Sequence, residues 1–205
     1  HYSGKSKVGH AGTLDPQATG VLSVFLGKAT KIVGFLTDAH KLYRAEVRLG
    51  VTTDTYDSEG ETVDTHDTSG ITLPQVANCL TSFQGDIKQL PPMYSAIRTH
   101  GKHLYELARA GIQVERKPRQ VQIIRLDLLE SSLPSINLEV ECGKGTYIRS
   151  LAHDLGQKLG CGAYLSRLTR IQTGPFNIAD AVNKDQLISA FQQDRWTELL
   201  KPIDT

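Results

Sequence analysis

Apolar positions recur along this chain with two periods, and the switches between them mark out its elements. From Lys41 to Leu49, Leu42, Val47 and Leu49 are interleaved with Tyr43, Arg44, Glu46 and Arg48, which predicts a half-buried strand ended by Gly50. Val121–Glu130 and Ile136–Cys142 read as two more strands, a hairpin around Leu133-Pro134-Ser135. The apolar run from Val21 to Leu26 predicts a buried strand, and Leu165–Ile171 a short one. Helical spacing appears at Ala29, Ile32, Val33 and Leu36, within Lys28–Leu36. It returns over Leu73–Phe83, behind a cap at Thr72 or Ser69, and over Lys102–Ala110, ended by Gly111. Tyr147–Leu159 carries a full apolar face of Ile148, Leu151, Ala152, Leu155 and Leu159. Residues 184–192 and 195–200 are terminal helical segments, and residues 1–8 read as the end of a longer element. Pro91-Pro92 makes 87–96 extended but not a regular central strand. The pattern is α+β: a mixed, largely antiparallel sheet with flanking helices, not a regular βαβ alternation.

Composition narrows the class. The chain has 205 residues, 39% hydrophobic and 22% charged, as expected of one large globular domain or one domain with an insertion. No apolar run reaches membrane-spanning length, and no signal peptide is visible. Cys79, Cys142 and Cys161 are odd in number and far apart, with no Cys-x-x-Cys, which fits reduced thiols of a cytosolic protein. The net charge of +1 hides a strong pattern. Residues 50–87 hold seven acids and no Lys or Arg, whereas residues 88–119 hold seven Lys or Arg against Glu106 and Glu115. Residues 1–49 are also basic. Basic blocks that include His and Tyr suit a polyanionic partner.

Candidate chemistry centres on Gly9-His10-Ala11-Gly12-Thr13-Leu14-Asp15-Pro16-Gln17-Ala18-Thr19-Gly20. Pro16 biases Asp15 away from helix, and glycines bound the loop on both sides. One carboxylate therefore sits on a tight loop that feeds the apolar run. Other motifs fail. Asp54 to Gly60 lacks the ligand spacing of a calcium loop, with Tyr56 at position three and Glu59 at position six. Gly143-Lys144-Gly145-Thr146 lacks the earlier glycine of a phosphate loop. There is no dinucleotide fingerprint, zinc-protease motif or nucleophile elbow.

Three stretches remain: the Asp15 loop, Lys41-Leu-Tyr43-Arg-Ala-Glu-Val47, and Lys144-Gly-Thr-Tyr147-Ile-Arg149 with the helix that follows. Together they resemble the TruB-type tRNA pseudouridine synthases. Leu49-Gly50 with Thr53-Asp54-Thr55, Pro92-Met93-Tyr94-Ser95-Ala96 with Gly101-Lys102, and Leu159-Gly-Cys-Gly-Ala163 extend the resemblance in order over nearly the whole chain. It implies a pseudouridine synthase fold over residues 1–205, with a basic RNA-gripping insertion at about 88–119. The family's opening strand with its Lys-Pro-x-Gly motif, and its C-terminal PUA-type domain, are expected to be absent from this sequence.

The resemblance also implies an activity: isomerisation of a uridine in the T arm of tRNA, position 55. It needs no cofactor and no metal, and is carried out by a cytoplasmic monomer. Asp15 would be the catalytic carboxylate, as nucleophile or as base. Arg149 would keep it ionised. Tyr43 would stack on the uracil and relay a proton. Tyr147 and Leu168 would complete the base pocket, and Lys31 and Lys144 would hold phosphates or the active-site loop. His10 would take the stacking position left by a flipped base. Three rivals are weighed beside this. One is a non-catalytic RNA-binding module on the same fold, one a guide-dependent relative, and one a hydrolase that uses Asp15.

Overall fold

A computed structural model describes residues 7–99 and 101–201. In chain order the strands and helices are β1 Val8–His10, β2 Thr19–Gly20, β3 Val24–Leu26, α1 Val33–Thr37, β4 Lys41–Leu49, β5 Val51–Thr53 and β6 Thr62–Thr65. Then come α2 Leu73–Thr81, β7 Gly85–Gln89, β8 Arg98–Thr99, β9 Lys102–His103 and α3 Leu104–Arg109. The chain continues with β10 Arg119–Leu128, β11 Ser135–Cys142, α4 Ile148–Leu159, β12 Ala163–Thr173, β13 Phe176–Asn177 and α5 Lys184–Gln192. The main sheet runs β13-β12-β4-β11-β10-β7, all antiparallel, and β2 joins β12 as its one parallel pair. The expected α+β fold with a mixed, largely antiparallel sheet is what forms.

One face of this sheet is the core. Val47 and Leu49 of β4, Ile136, Leu138 and Val140 of β11, and Leu165 of β12 are essentially inaccessible. Leu151 and Leu155 of α4 and Val76 and Leu80 of α2 cover them. The other face is wet, as antiparallel sheets allow. Arg125 and Arg44 both reach Glu139 there, at 2.9 and 3.3 Å, solvent-screened pairs that add little to stability. α4 lies unusually close to β12, because a Cβ on Gly156 would fall 2.1 Å from the Ala163 nitrogen. That closeness matters later, since α4 carries Arg149 and β12 carries Arg170.

Several expected boundaries move. Val21–Leu26 is not one buried strand. Only β3 pairs, with β1, and Leu22 and Val24 face solvent while Val21, Ser23 and Phe25 point inward. An apolar run alone does not reveal that its side chains alternate. The helix over Lys28–Leu36 opens as a 3-10 turn, Gly27–Ile32, and becomes α-helical only at Val33. Lys102 and His103 pair with Arg98 and Thr99, so α3 starts at Leu104. The polar 52–70 stretch contains the β5–β6 hairpin. β12 extends beyond the expected Leu165–Ile171 at both ends, and the terminal 195–200 segment holds a 3-10 turn, Trp196–Leu199. The α2 cap is Thr72, whose hydroxyl accepts from the Gln75 amide while the Gln75 side chain accepts from the Thr72 amide. The reading of residues 1–8 falls outside the described residues up to residue 6.

α4 also carries a liability. Burial pushes the Asp154 carboxyl up to about 6. A folded-state value above the ordinary one stabilises the fold at low pH, and that stabilisation is lost as pH rises through about 6. Asp154→Asn should therefore raise the urea midpoint at neutral pH and leave it unchanged near about pH 2, where both states are protonated. Urea titrations at the two pH values check this.

Candidate active site

The Asp15 loop joins β1 to β2 and is held from behind. Ala18 donates to the Asp15 carbonyl at 2.9 Å, closing a turn over Pro16. Arg170 of β12, only 2% exposed, ties both limbs of the loop. Its Nη2 donates to the Gly12 carbonyl at 3.1 Å, Nη1 to Thr13 at 3.3 Å and Nε to Val21 at 2.7 Å. The Val21 amide returns a bond to the Arg170 carbonyl at 2.9 Å. Gly20 passes so near this strand that a Cβ would fall 2.1 Å from the Arg170 oxygen, and its φ is +105°. Only glycine fits there.

Arg149 meets Asp15 from the first turn of α4. The start of that helix is pinned by Gln89, whose buried amide donates to the Tyr147 carbonyl at 3.0 Å and accepts from the Tyr147 amide at 2.8 Å. Ser150 adds a bond to the Leu90 carbonyl at 2.9 Å. The Arg149 guanidinium then engages Asp15 with two bonds, Nε to Oδ2 at 2.9 Å and Nη2 to Oδ1 at 3.1 Å. Nη2 also donates to the Tyr94 carbonyl at 2.9 Å, and Nη1 to the Thr55 carbonyl at 3.4 Å. A second carboxylate, Asp57 Oδ2, lies 3.6 Å from Nη1. Asp57 is itself buried, and its Oδ1 accepts from the Thr55 hydroxyl at 2.5 Å and the Glu59 amide at 3.1 Å.

Charge and access now separate. The Arg149 side chain is 5% exposed and the Asp15 side chain 36%. One buried cation thus serves two carboxylates, of which Asp15 alone opens to solvent. The bidentate fork fixes the direction of the Asp15 carboxylate as well as its charge.

Tyr43 lies on the core face of β4, in register with Arg170. Burial pushes its phenol up, nearby Cys142 and Asp15 add to the rise, and the Arg170 guanidinium opposes it. Tyr43 therefore sits near Asp15 as a neutral phenol, in contact with the same arginine that braces the Asp15 loop. Leu168 is buried in the core of β12, two residues before Arg170, and Tyr147 is half-buried at the cap of α4. The structure brings Asp15, Tyr43 and Arg149 together.

The other expected residues lie further out. His10 is exposed at the end of β1, across from Val24. Lys31 is exposed on the 3-10 turn before α1. Lys144 is exposed and pairs with Asp38 at 3.0 Å. It borders an open cavity of about 310 Å³ with His40, Asp86 and Gln122, to which Asp15 and Arg149 do not contribute. Arg116 of the basic block is half-buried and donates to the Pro91 carbonyl at 2.9 Å. Among the described residues no group of three or more His, Cys, Asp or Glu is placed to hold a metal ion, and no helix is long and apolar enough to cross a membrane.

Sequence reasoning did not single out Asp57, Thr55, Gln89 or Arg170. Asp57 lies in the stretch weighed and set aside as a calcium loop. Its signal was the neighbouring Thr53-Asp54-Thr55 block, two residues short of it.

Residues 1–148 match the TruB family pseudouridylate synthase N-terminal domain, and residues 149–205 match the tRNA pseudouridylate synthase B C-terminal domain. The chain is 48% identical to tRNA pseudouridine synthase B of Dehalococcoides mccartyi over 98% of its own length and 67% of that protein. It is 51% identical to the Clostridium tetani protein of the same name over 88% of its own length and 63% of that protein. Among solved structures it is similar to a chain of a Cbf5-Nop10-Gar1 complex, with TM-score 0.74 and 28% identity, covering 98% of this chain and 53% of that one. A chain of an H/ACA RNP bound to a substrate RNA containing 2'-deoxyuridine gives 0.71 and 25%, over 98% and 52%. The chain thus spans about two thirds of the curated relatives and about half of the solved chains and, on the family match across its length, belongs to the TruB family of pseudouridylate synthases.

Proposed function

We propose that this chain converts uridine to pseudouridine in tRNA, at position 55 of the T arm, as a cytoplasmic monomer. The observation that carries the reading is the solvent-open Asp15 carboxylate, held by two bonds from a buried Arg149 beside the neutral phenol of Tyr43. The target nucleotide is first flipped out of its stack. His10, exposed at the end of β1 where the Asp15 loop begins, then fills the vacated place. Asp15 acts on the sugar, as nucleophile at C1′ or as base, and the C1′–N1 bond breaks. The uracil turns, C1′ bonds to C5, the C5 proton leaves to solvent by way of Tyr43, and N1, freed from the sugar, takes up a proton from solvent. No atom is gained or lost overall, so no co-reactant is required. Arg149 and Arg170 do not touch the base in this scheme. One directs the carboxylate and the other holds its loop.

The basic block supplies grip. Lys117 and Arg119 are exposed, and we assign them to phosphate contacts, made mainly by charge and shape. Replacing both with Gln should flatten the dependence of log affinity on log salt by about 0.7–0.9 per charge. Filter binding over a salt series checks this, and an unchanged slope places both side chains off the RNA. The activity is tested by incubating the protein with unmodified tRNA and detecting pseudouridine by carbodiimide chemistry. Tight binding without product would instead favour a non-catalytic RNA-binding module.

A further inference from the structure

The loop from β5 to β6 makes an unusual turn at Tyr56. Its φ is +65°, a left-handed conformation that side chains with a Cβ rarely adopt and that glycine or asparagine would adopt at lower cost. Strain of this kind persists only where the surroundings over-determine it. Here they do. The Tyr56 carbonyl accepts from the Leu165 amide at 3.0 Å, and the Tyr56 amide donates to the Thr53 carbonyl at 3.3 Å. The Tyr56 ring lies flat on the His153 imidazole, with centroids 3.9 Å apart and planes 15° from parallel.

His153 stands one helical turn after Arg149 on α4, so the two share a face. Three consecutive loop residues therefore engage that face. Thr55 offers its carbonyl to Arg149, Asp57 its carboxylate, and Tyr56 its ring to His153. The left-handed turn lets the two flanking residues point to Arg149 while the ring goes to the helix. The imidazole is used for its face, since its Nδ1 is buried without a hydrogen-bond partner. Burial and the neighbouring Arg116 charge hold its pKa down, which favours the neutral ring in the stack.

We propose that Tyr56 and His153 form an aromatic clamp that sets Asp57 and the Thr55 carbonyl against Arg149, making both of them positioning residues for the Asp15 centre. This rests on the reading of Asp15 and Arg149 as the reaction centre.

Tyr56→Gly separates the ring from the backbone, because glycine adopts the same φ without strain. Under the proposal Tyr56→Gly lowers the single-turnover rate by about tenfold or more, with tRNA affinity held within about twofold. Tyr56→Phe keeps the stack and the rate. His153→Ala matches the Tyr56→Gly loss, His153→Phe restores most of it, and the Tyr56→Gly/His153→Ala double variant is no worse than either single, because the two act as a unit. A readout independent of activity is hydrogen exchange. The Leu165 amide, which donates to Tyr56, should exchange about tenfold faster or more in Tyr56→Gly, while the β11 amides stay protected.

Full rate in Tyr56→Gly, or unchanged Leu165 exchange, overturns the clamp. So does an equal loss in Tyr56→Phe, which would assign the role to the hydroxyl. If Tyr56→Gly exchanges fast throughout the sheet, the His153→Ala and His153→Phe pair decides alone. If the unaltered protein forms no pseudouridine, the functional reading fails and the exchange result still judges the clamp.

Discussion

Replacing Asp15 with Asn is expected to abolish pseudouridine formation, by more than about ten-thousandfold, while tRNA affinity stays within about tenfold. The amide keeps the size of the carboxylate and one of its two acceptors, so Arg149 retains part of its fork. It loses the charge and the nucleophilic oxygen, so both possible roles on the sugar disappear together. The fold should survive. The Asp15 side chain is 36% exposed, and the loop is held through the Gly12, Thr13 and Val21 carbonyls rather than through its carboxylate. Arg149 would still have Asp57 at 3.6 Å and the carbonyls of Tyr94 and Thr55. The measurement is single-turnover product formation with saturating enzyme, beside a binding isotherm on the same tRNA. Turnover equal to wild type would remove Asp15 from the chemistry.

That the site could be approached from sequence at all follows from where its parts lie. β4 and α4 have strong local periodicity, so their bounds were readable, which puts Tyr43 and Arg149 on them without giving either a role. Asp15 stood out because Pro16 and the flanking glycines describe a loop locally. Arg170 had no such mark. In sequence it is one of several basic residues on a strand, and only the return of the Gly12–Val21 loop makes it a buried brace. Asp57 was equally hidden. Its polar surroundings were weighed only as a calcium loop, yet it is 5% exposed and faces Arg149 of α4. Gln89 precedes Leu90-Pro91-Pro92, in a stretch that reads only as extended. Its role depends on Tyr147, a contact that periodicity cannot show. Local patterns report what a residue's neighbours in sequence require, whereas these three side chains satisfy backbone or charges from distant segments. The resemblance to a known family supplied what periodicity could not for Tyr43 and Arg149. It did not reach Arg170 or Gln89.

Arg149→Lys should cost about a hundredfold or more in rate despite preserving the charge. The guanidinium here spends every direction of its fork: Nε and Nη2 on Asp15, Nη2 also on Tyr94, and Nη1 on Thr55 beside Asp57. An ammonium is a point charge on a shorter reach and cannot hold both Asp15 oxygens while facing Asp57. It would settle toward one carboxylate, and the Asp15 carboxylate would lose its fixed direction. Arg149→Met goes further. It removes the cation between two carboxylates and leaves Asp57 buried with only the Thr55 hydroxyl and the Glu59 amide. Removing one partner from a buried pair costs about 3–5 kcal/mol, and the partly open Asp15 should bring the cost toward the lower end. Arg149→Met is therefore expected to be both inactive and less stable, and Arg149→Lys slow but closer to wild type in stability. Adding Asp57→Asn to Arg149→Met should recover part of the lost stability, since the stranded charge is gone, with a coupling of about 1–3 kcal/mol. The recovery should not restore turnover, because Asp15 still lacks its fork. Urea denaturation of the four proteins in that cycle measures the coupling, and single-turnover assays of the same preparations measure the chemistry. A wild-type rate in Arg149→Lys would mean that charge alone suffices and that the two-bond geometry is incidental. A cycle with no coupling would mean that Asp57 does not share the arginine.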